Sequence, residues 1–401
     1  MGRLKMQYKM YYDFLKRDAM NKKLFDEDYD FFANHNLMLF AYWKEYINGS
    51  DDATFFKRKL FMYKIEYSKT LENICELGSV LEDKGINYLI LKGIVIAETY
   101  PESFTRSMGD YDILVHAEDF DKAKEVLLEA SYETDPEMNT YKDATFFRKN
   151  SLNVELHHAI LNSEREPYAD EFTQRLWCNP IKLETPKGYI MVPEAEVHFT
   201  YIVLHMMKHL KGAGFGLRFL LDFKYFSEFH NIDHNKQLIV FEKIGYGEFY
   251  RSITTLCHCY LGMNIGHVSW LYEPEATVIQ ILAEYIAEGG SFGNGSERMR
   301  IANEYDKYKD TFKEKSKLSI FIELLFPPAS VMIENYTYVE KHRLLLPIAW
   351  IQRLVQKSFS TNKGMKEKFF LFNQDEEFVS KKEYMMCALK LKNHKDYKDN
   401  E

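Results

Sequence analysis

The stretch Leu91–Val115, LKGIVIAETYPESFTRSMGDYDILV, closes one apolar run with Lys92 and Gly93 and opens the next with Asp110 and Asp112. In an extended strand, side chains two apart face the same side, so the two aspartates converge while Tyr111 faces the other way. Neighbouring carboxylates repel unless a cation or a shared proton lies between them, and hard oxygen ligands suit Mg²⁺ or Mn²⁺. Gly93 allows a backbone to approach a phosphate, and a helix starting after it would offer free N–H groups and a positive dipole end. Lys92 stands where it can meet the same phosphate or snorkel to solvent. A third acid, Glu155, lies in NVELHH, where Asn153, Glu155 and His157 share one strand face; if the two strands are neighbours, Glu155 joins the aspartates. Three carboxylates around a divalent ion beside a phosphate-binding turn suit metal-assisted phosphoryl or nucleotidyl transfer, with Glu155 completing the metal site or acting as base. Arg106 is placed to meet a phosphate or to pair with Asp110 or Glu102. His157 is placed to orient a carboxylate or contact a nucleotide.

Other clusters carry less. His205 and His209 lie one helical turn apart, but Met206 stands where a zincin has its glutamate and no third ligand is evident. A metal-dependent hydrolase built on His157, His205 and His209 is therefore poorly supported. Cys257-His258-Cys259 has no second cysteine pair and reads as part of a helix. EGGSFGNGS at 288–296 lacks the Lys-Ser/Thr ending and preceding strand of a P-loop, so it reads as a solvated loop between helices.

The elements that must position the acids follow from periodicity. Apolar residues at three- and four-residue steps predict an N-terminal helical segment over 1–77, the last helix running on to Gly85. A mixed α/β core over 78–195 follows: INYLILKG as a buried strand, YDILV as a second, a helix near Glu118–Ala130, and a hairpin of ATFFRKN and SLNVELHHAI turning at Asn150-Ser151. From 196 to 401 the pattern is helical again. The fold class is thus α+β, a small mixed sheet flanked by N-terminal helices and a larger C-terminal helical region.

With 46% apolar and 28% charged residues in 401, the chain is an ordinary globular one, rich in rings (30 Phe, 28 Tyr). A net charge of −8 argues against broad nucleic-acid binding through phosphates. Five scattered cysteines argue against a disulfide framework. The first residues lack the apolar stretch of a secretion signal, and the run LLLPIAWI at 344–351 is far below the ~20 residues of a bilayer span. A cytoplasmic protein without membrane association is expected.

LKG, then YP, RSMGDYDILV and VELHH resemble the DNA polymerase β-type nucleotidyltransferase superfamily, most closely its bacterial "uncharacterised nucleotidyltransferase" group. The likeness extends to KGINYLI, to LHMMKHLKGAGFGLRFLLDF and to LLFPPASVMIENYTYVEKHRLLLPIAWIQRL, so it covers most of the chain. It implies that Asp110, Asp112 and Glu155 are catalytic and bind the metal, that Lys92, Gly93 and Ser107 face the triphosphate, and that Arg106 and His157 belong to the nucleotide site. His209, Arg218 and Asp222 are implied to contribute to the cleft, the alternative being a hydrogen-bond network between two helices. The expected activity is transfer of a nucleoside monophosphate from an NTP to an unidentified acceptor (small molecule, protein or RNA) with release of pyrophosphate. The sequence departs from the superfamily's Gly-Ser turn, having Lys92-Gly93-Ile94, and Tyr111 replaces an aliphatic residue. The alternative reading is accordingly a catalytically degenerate module that binds a nucleotide or a protein.

Overall fold

Helix periodicity in the N-terminal segment is realised as α1 (Met6–Lys16), α2 (Asp26–Asn34), α3 (Met38–Ile47) and α4 (Ala53–Asp83) in a computed structural model of the chain. The structure describes residues 6–16, 24–135, 142–161, 166–291, 293, 295–303, 322, 325–332, 336, 338–360 and 375–391. The lysine-rich segment after Leu391 lies outside them. Helix α4 buries Leu71, Ile74, Cys75, Gly78 and Leu81, a stripe at three- and four-residue steps, and so passes residue 77 without a break. It stops at Gly85, whose φ of +71° closes the last turn as Ile86 N–H bonds back to the Leu81 carbonyl.

Next come β1 (Tyr88–Ile90), α5 (Ile94–Ala97), β2 (Asp110–Val115), α6 (Phe120–Glu129), β3 (Glu133–Thr134), β4 (Asp143–Phe147) and β5 (Asn153–His157). They form a five-stranded sheet in the order β1-β2-β5-β4-β3. Its β2/β5 pair is parallel and the others antiparallel, with β4 and β5 joined through Asn150 at φ +62° as the expected hairpin. Along β5 burial alternates: Val154 and Leu156 enter the core, leaving Asn153, Glu155 and His157 on the other face. After α7 (Ala169–Leu176), the hairpin of β6 (Ile181–Thr185) and β7 (Gly188–Val192) leads into α8 (Ala195–Lys211) and α9 (Leu217–His230).

Helices α10 (His234–Lys243), α11 (Gly247–Leu261) and α12 (Thr277–Gly289) continue the helical region, followed by α13 (Ala329–Met332), α14 (Tyr338–Lys341), α15 (Leu346–Ser360) and α16 (Glu376–Ala388). One apolar core runs from Tyr11 on α1 through the sheet to Leu391, and a second, smaller one gathers Met332, Tyr336, Val339 and Ala349 among α13, α14 and α15. Among the described residues, no helix is long and apolar enough to cross a membrane.

The glycine-rich segment after α12 is not the solvated loop its composition predicts. Gly290 and Gly293 are buried against the second glycine cluster, at 212–216. A Cβ on Gly216 would lie 2.6 Å from the Gly290 carbonyl, and one on Gly293 would collide with the Ala213 carbonyl. The glycines are there because two backbones touch. His35 clamps the junction, accepting from the Leu217 N–H at Nδ1 (3.0 Å) and donating from Nε2 to the Ala287 carbonyl (3.1 Å).

Candidate active site

Strand alternation aims Asp110 and Asp112 at one face of β2, and the parallel register with β5 sets Asp112 level with Glu155 and Asp110 level with Asn153. Asp112 is 1% exposed. Lys92, at the end of β1, brings its Nζ to 2.7 Å from Asp112 Oδ1, while His157 Nε2 lies 3.4 Å from the same oxygen and 3.6 Å from Glu155 Oε2. The structure thus brings Lys92, Asp112, Glu155 and His157 together, with Asp110 close enough to feel the charges of Lys92, Asp112 and Glu155.

The turn between β1 and β2 is built around Gly93 at φ +55°, where a Cβ would press on the Asp110 carbonyl at 3.3 Å. The helix expected after it is a single turn, α5, of four residues. Arg106 fastens this turn: its Nη1 donates to the Gly93 carbonyl at 3.1 Å, and its Nε and Nη2 grip Asp222 on α9 at 2.8 Å each. Its ion-pair partner is therefore Asp222, not Asp110 or Glu102, and it is 5% exposed. Tyr100 adds a hydrogen bond to Asp222 Oδ1 at 2.6 Å. Ser107 lies in the same loop, its carbonyl accepting from Arg218 Nη1 at 2.9 Å. Of the implied His209, Arg218 and Asp222, the two on α9 make these bonds to the loop, whereas His209 on α8 meets His205 of its own helix.

Helix α8 closes the other side. Its His198 ring donates to the Leu91 carbonyl, tying the helix to the strand that carries Lys92. Tyr201 sits among Lys92, Asp112, Glu155 and Asp110, and burial, ahead of those carboxylates, pushes its phenol well up. His205 Nε2 lies 3.4 Å from Lys92 Nζ and 3.1 Å from His209 Nε2. Sequence reasoning missed His198 and Tyr201. The available signal was the series His198, Tyr201, His205, His209, at three- and four-residue steps along one helix.

The charges of these side chains act on one another. Burial, then the Asp112 charge, pushes the Asp110 carboxyl up to about 6, with Glu155 adding to the rise and Lys92 and Arg218 resisting it. Burial would raise Asp112 also, but the Lys92 ammonium and the neighbouring His157 outweigh it and hold the carboxyl well below the usual range. Lys92 is correspondingly raised: the Asp112 charge overcomes the effect of burial. His209 falls to about 4 through burial and the nearby Lys92.

A divalent cation fits these residues. Asp112 Oδ2 is buried without a hydrogen-bond partner, as is His157 Nε2, while Asp112 Oδ1 is paired with the Lys92 ammonium at 2.7 Å. Ligand atoms of Asp112, Glu155 and His157 lie within 4.8 Å of one another, the one such grouping of three among the described residues. His205 and His209 have no third ligand of that kind beside them, and the five cysteines are free.

A small mixed sheet presenting acids from two adjacent strands beside a lysine-glycine turn is a nucleotidyltransferase-type core, as the resemblance implied. Residues 54–262 match the family described as "Uncharacterised nucleotidyltransferase", and the chain belongs to that family. An antigenic nucleotidyltransferase-like protein from Paracoccidioides brasiliensis, known from its crystal structure, is similar at 14% identity and a TM-score of 0.33, over 50% of this chain and 95% of that one. No curated protein matches.

Proposed function

We propose that this protein is a metal-dependent nucleotidyltransferase that moves a nucleoside monophosphate from an NTP to an acceptor and releases pyrophosphate. The observation that carries the reading is the register of β2 on β5, which sets Asp112 beside Glu155 in reach of Lys92. Asp110, Asp112 and Glu155 would hold Mg²⁺ or Mn²⁺, which when bound supplies neutralising charge for the triphosphate and the departing pyrophosphate. Lys92, against Asp112, and Arg218, on the loop carbonyl of Ser107, would offer positive charge to the phosphates. Arg106 acts through the turn, holding Gly93 in place. The acceptor oxygen attacks the α-phosphorus in line: the new O–P bond forms as the bond to pyrophosphate breaks, and the acceptor's proton passes to Glu155, whose side chain is 41% exposed.

The test is incubation with each NTP labelled at the α-phosphate, a divalent cation and cell extract, beside Asp112→Asn. A labelled product that disappears in the variant is expected, and its size would give the class of acceptor. Full transfer by Asp112→Asn refutes the reading.

A second reading, a catalytically degenerate nucleotide- or protein-binding module, is favoured by one feature. The turn has Ile94 where the superfamily places a serine, and the helix behind it is four residues long. NTP binding without label transfer to any acceptor would select it.

A further inference from the structure

His157 shares the β5 face of Glu155, two residues on, and lies level with Leu114 on β2. Opposite an apolar neighbour, its ring leans along the ladder to Asp112. The resulting separations, 3.4 Å to Asp112 Oδ1 and 3.6 Å to Glu155 Oε2, are close to those of two ligands on one ion. Donors each about 2.1 Å from a cation and 90–110° apart stand about 3.0–3.5 Å from one another. Lys92 takes one side of Asp112 Oδ1, but Oδ2 of this 1%-exposed carboxylate has no partner, and His157 Nε2, 3.4 Å from Oδ1, makes no hydrogen bond. Buried polar atoms left in that state are costly, and a cation between them would satisfy both. Asp110, level with Asn153, is not one of the three residues whose ligand atoms lie within 4.8 Å of one another, and it faces the site from the same side of β2.

We propose that His157 is a nitrogen ligand which, with Asp112 and Glu155, makes a site that takes a first-row transition dication of the Mn²⁺ type in preference to Mg²⁺. The inference rests on reading this cleft as a divalent-metal site and goes beyond it in assigning a ligand and a metal class. Mg²⁺ is a hard ion that favours oxygen and keeps its waters, whereas an imidazole donor strengthens binding of transition metals. His158 gives an internal control, since its ring packs edge-on against Phe120 on the opposite face of the strand.

The experiment uses the full chain stripped of metal by a chelator, titrated with Mn²⁺ alone and followed by the free-ion electron paramagnetic resonance signal. Mg²⁺ then serves as competitor, and pulsed resonance reads ¹⁴N coupling to the bound ion. Wild type is expected to bind Mn²⁺ at least about tenfold tighter than Mg²⁺ and to show ¹⁴N coupling. His157→Gln should lose the coupling and weaken Mn²⁺ binding by about tenfold or more, while His158→Gln keeps both. Wild-type Mn²⁺ without ¹⁴N coupling, equal affinity for Mg²⁺, or no binding of Mn²⁺ overturns the proposal, whatever the folding of the variants. Coupling with no nucleotidyl transfer sinks the transferase reading alone; transfer without coupling sinks this one alone.

Discussion

Removing the charge of Asp222 tests the physical account of how the site is held. In Asp222→Asn the Arg106 guanidinium, 5% exposed, keeps its bond to the Gly93 carbonyl but loses its countercharge and one of the two acceptors it holds at 2.8 Å. Breaking a buried ion pair by removing one partner costs about 3–5 kcal/mol, because the remaining charge stays desolvated. Arg218 is close enough to repel it, which puts the expectation in the upper half of that range. Urea unfolding followed by far-ultraviolet circular dichroism measures the loss, and a double variant, Arg106→Met with Asp222→Leu, should recover part of it, since the Arg106 charge is gone while Tyr100 loses its acceptor and Arg218 its nearby carboxylate. The pH dependence has a definite sign. Burial alone would raise Asp222, but Arg106 overcomes it and holds the carboxyl below its ordinary 3.8. Its stabilisation is therefore complete above that value and lost as pH falls through the lower folded one, so wild type and Asp222→Asn should converge in acid. An Asn variant within about 1 kcal/mol of wild type at pH 7 would show that Asp222 does not carry the Arg106 charge.

Asp110 should behave in the opposite sense. Its carboxyl rises from 3.8 to about 6 on folding, so it costs the metal-free protein stability as pH climbs through 6, by about 3 kcal/mol at most. Asp110→Asn is expected to be about 1–3 kcal/mol more stable than wild type at pH 8 without metal, with the gap closing below pH 4; a variant no more stable at pH 8 refutes the electrostatic account. The two glycine loops make a separate test. Gly266→Ala, at φ +63° in open space, should cost about 1 kcal/mol, whereas Gly293→Ala, at φ +69° against the Ala213 carbonyl, should cost at least about 2 kcal/mol more in the same unfolding assay. Equal losses would mean that the loops do not touch.

Which features could be read beforehand follows from the range of the interactions that create them. That Asp110 and Asp112 share a face depends on the two-residue repeat of a strand, and the end of α4 at Gly85 on a local left-handed turn. The hairpin of β4 and β5 likewise declares itself through Asn150. These are determined by neighbours along the chain, so the sequence alone determined the acids' orientation, the mixed α+β pattern and the motifs that mark the family.

Tertiary structure decided the rest. Glu155 meets Asp112 only because β5 lies parallel to β2 in one register, and a slip of one residue would turn Glu155 to the other face. Arg106 found Asp222, 116 positions away, instead of the acids close by in sequence. The glycine-rich segment was buried by a second glycine loop whose proximity no local pattern encodes. The physical reason is common to all three: pairing across the fold is chosen by the burial of whole strands and helices, and polar side chains then take the partners this packing brings within reach.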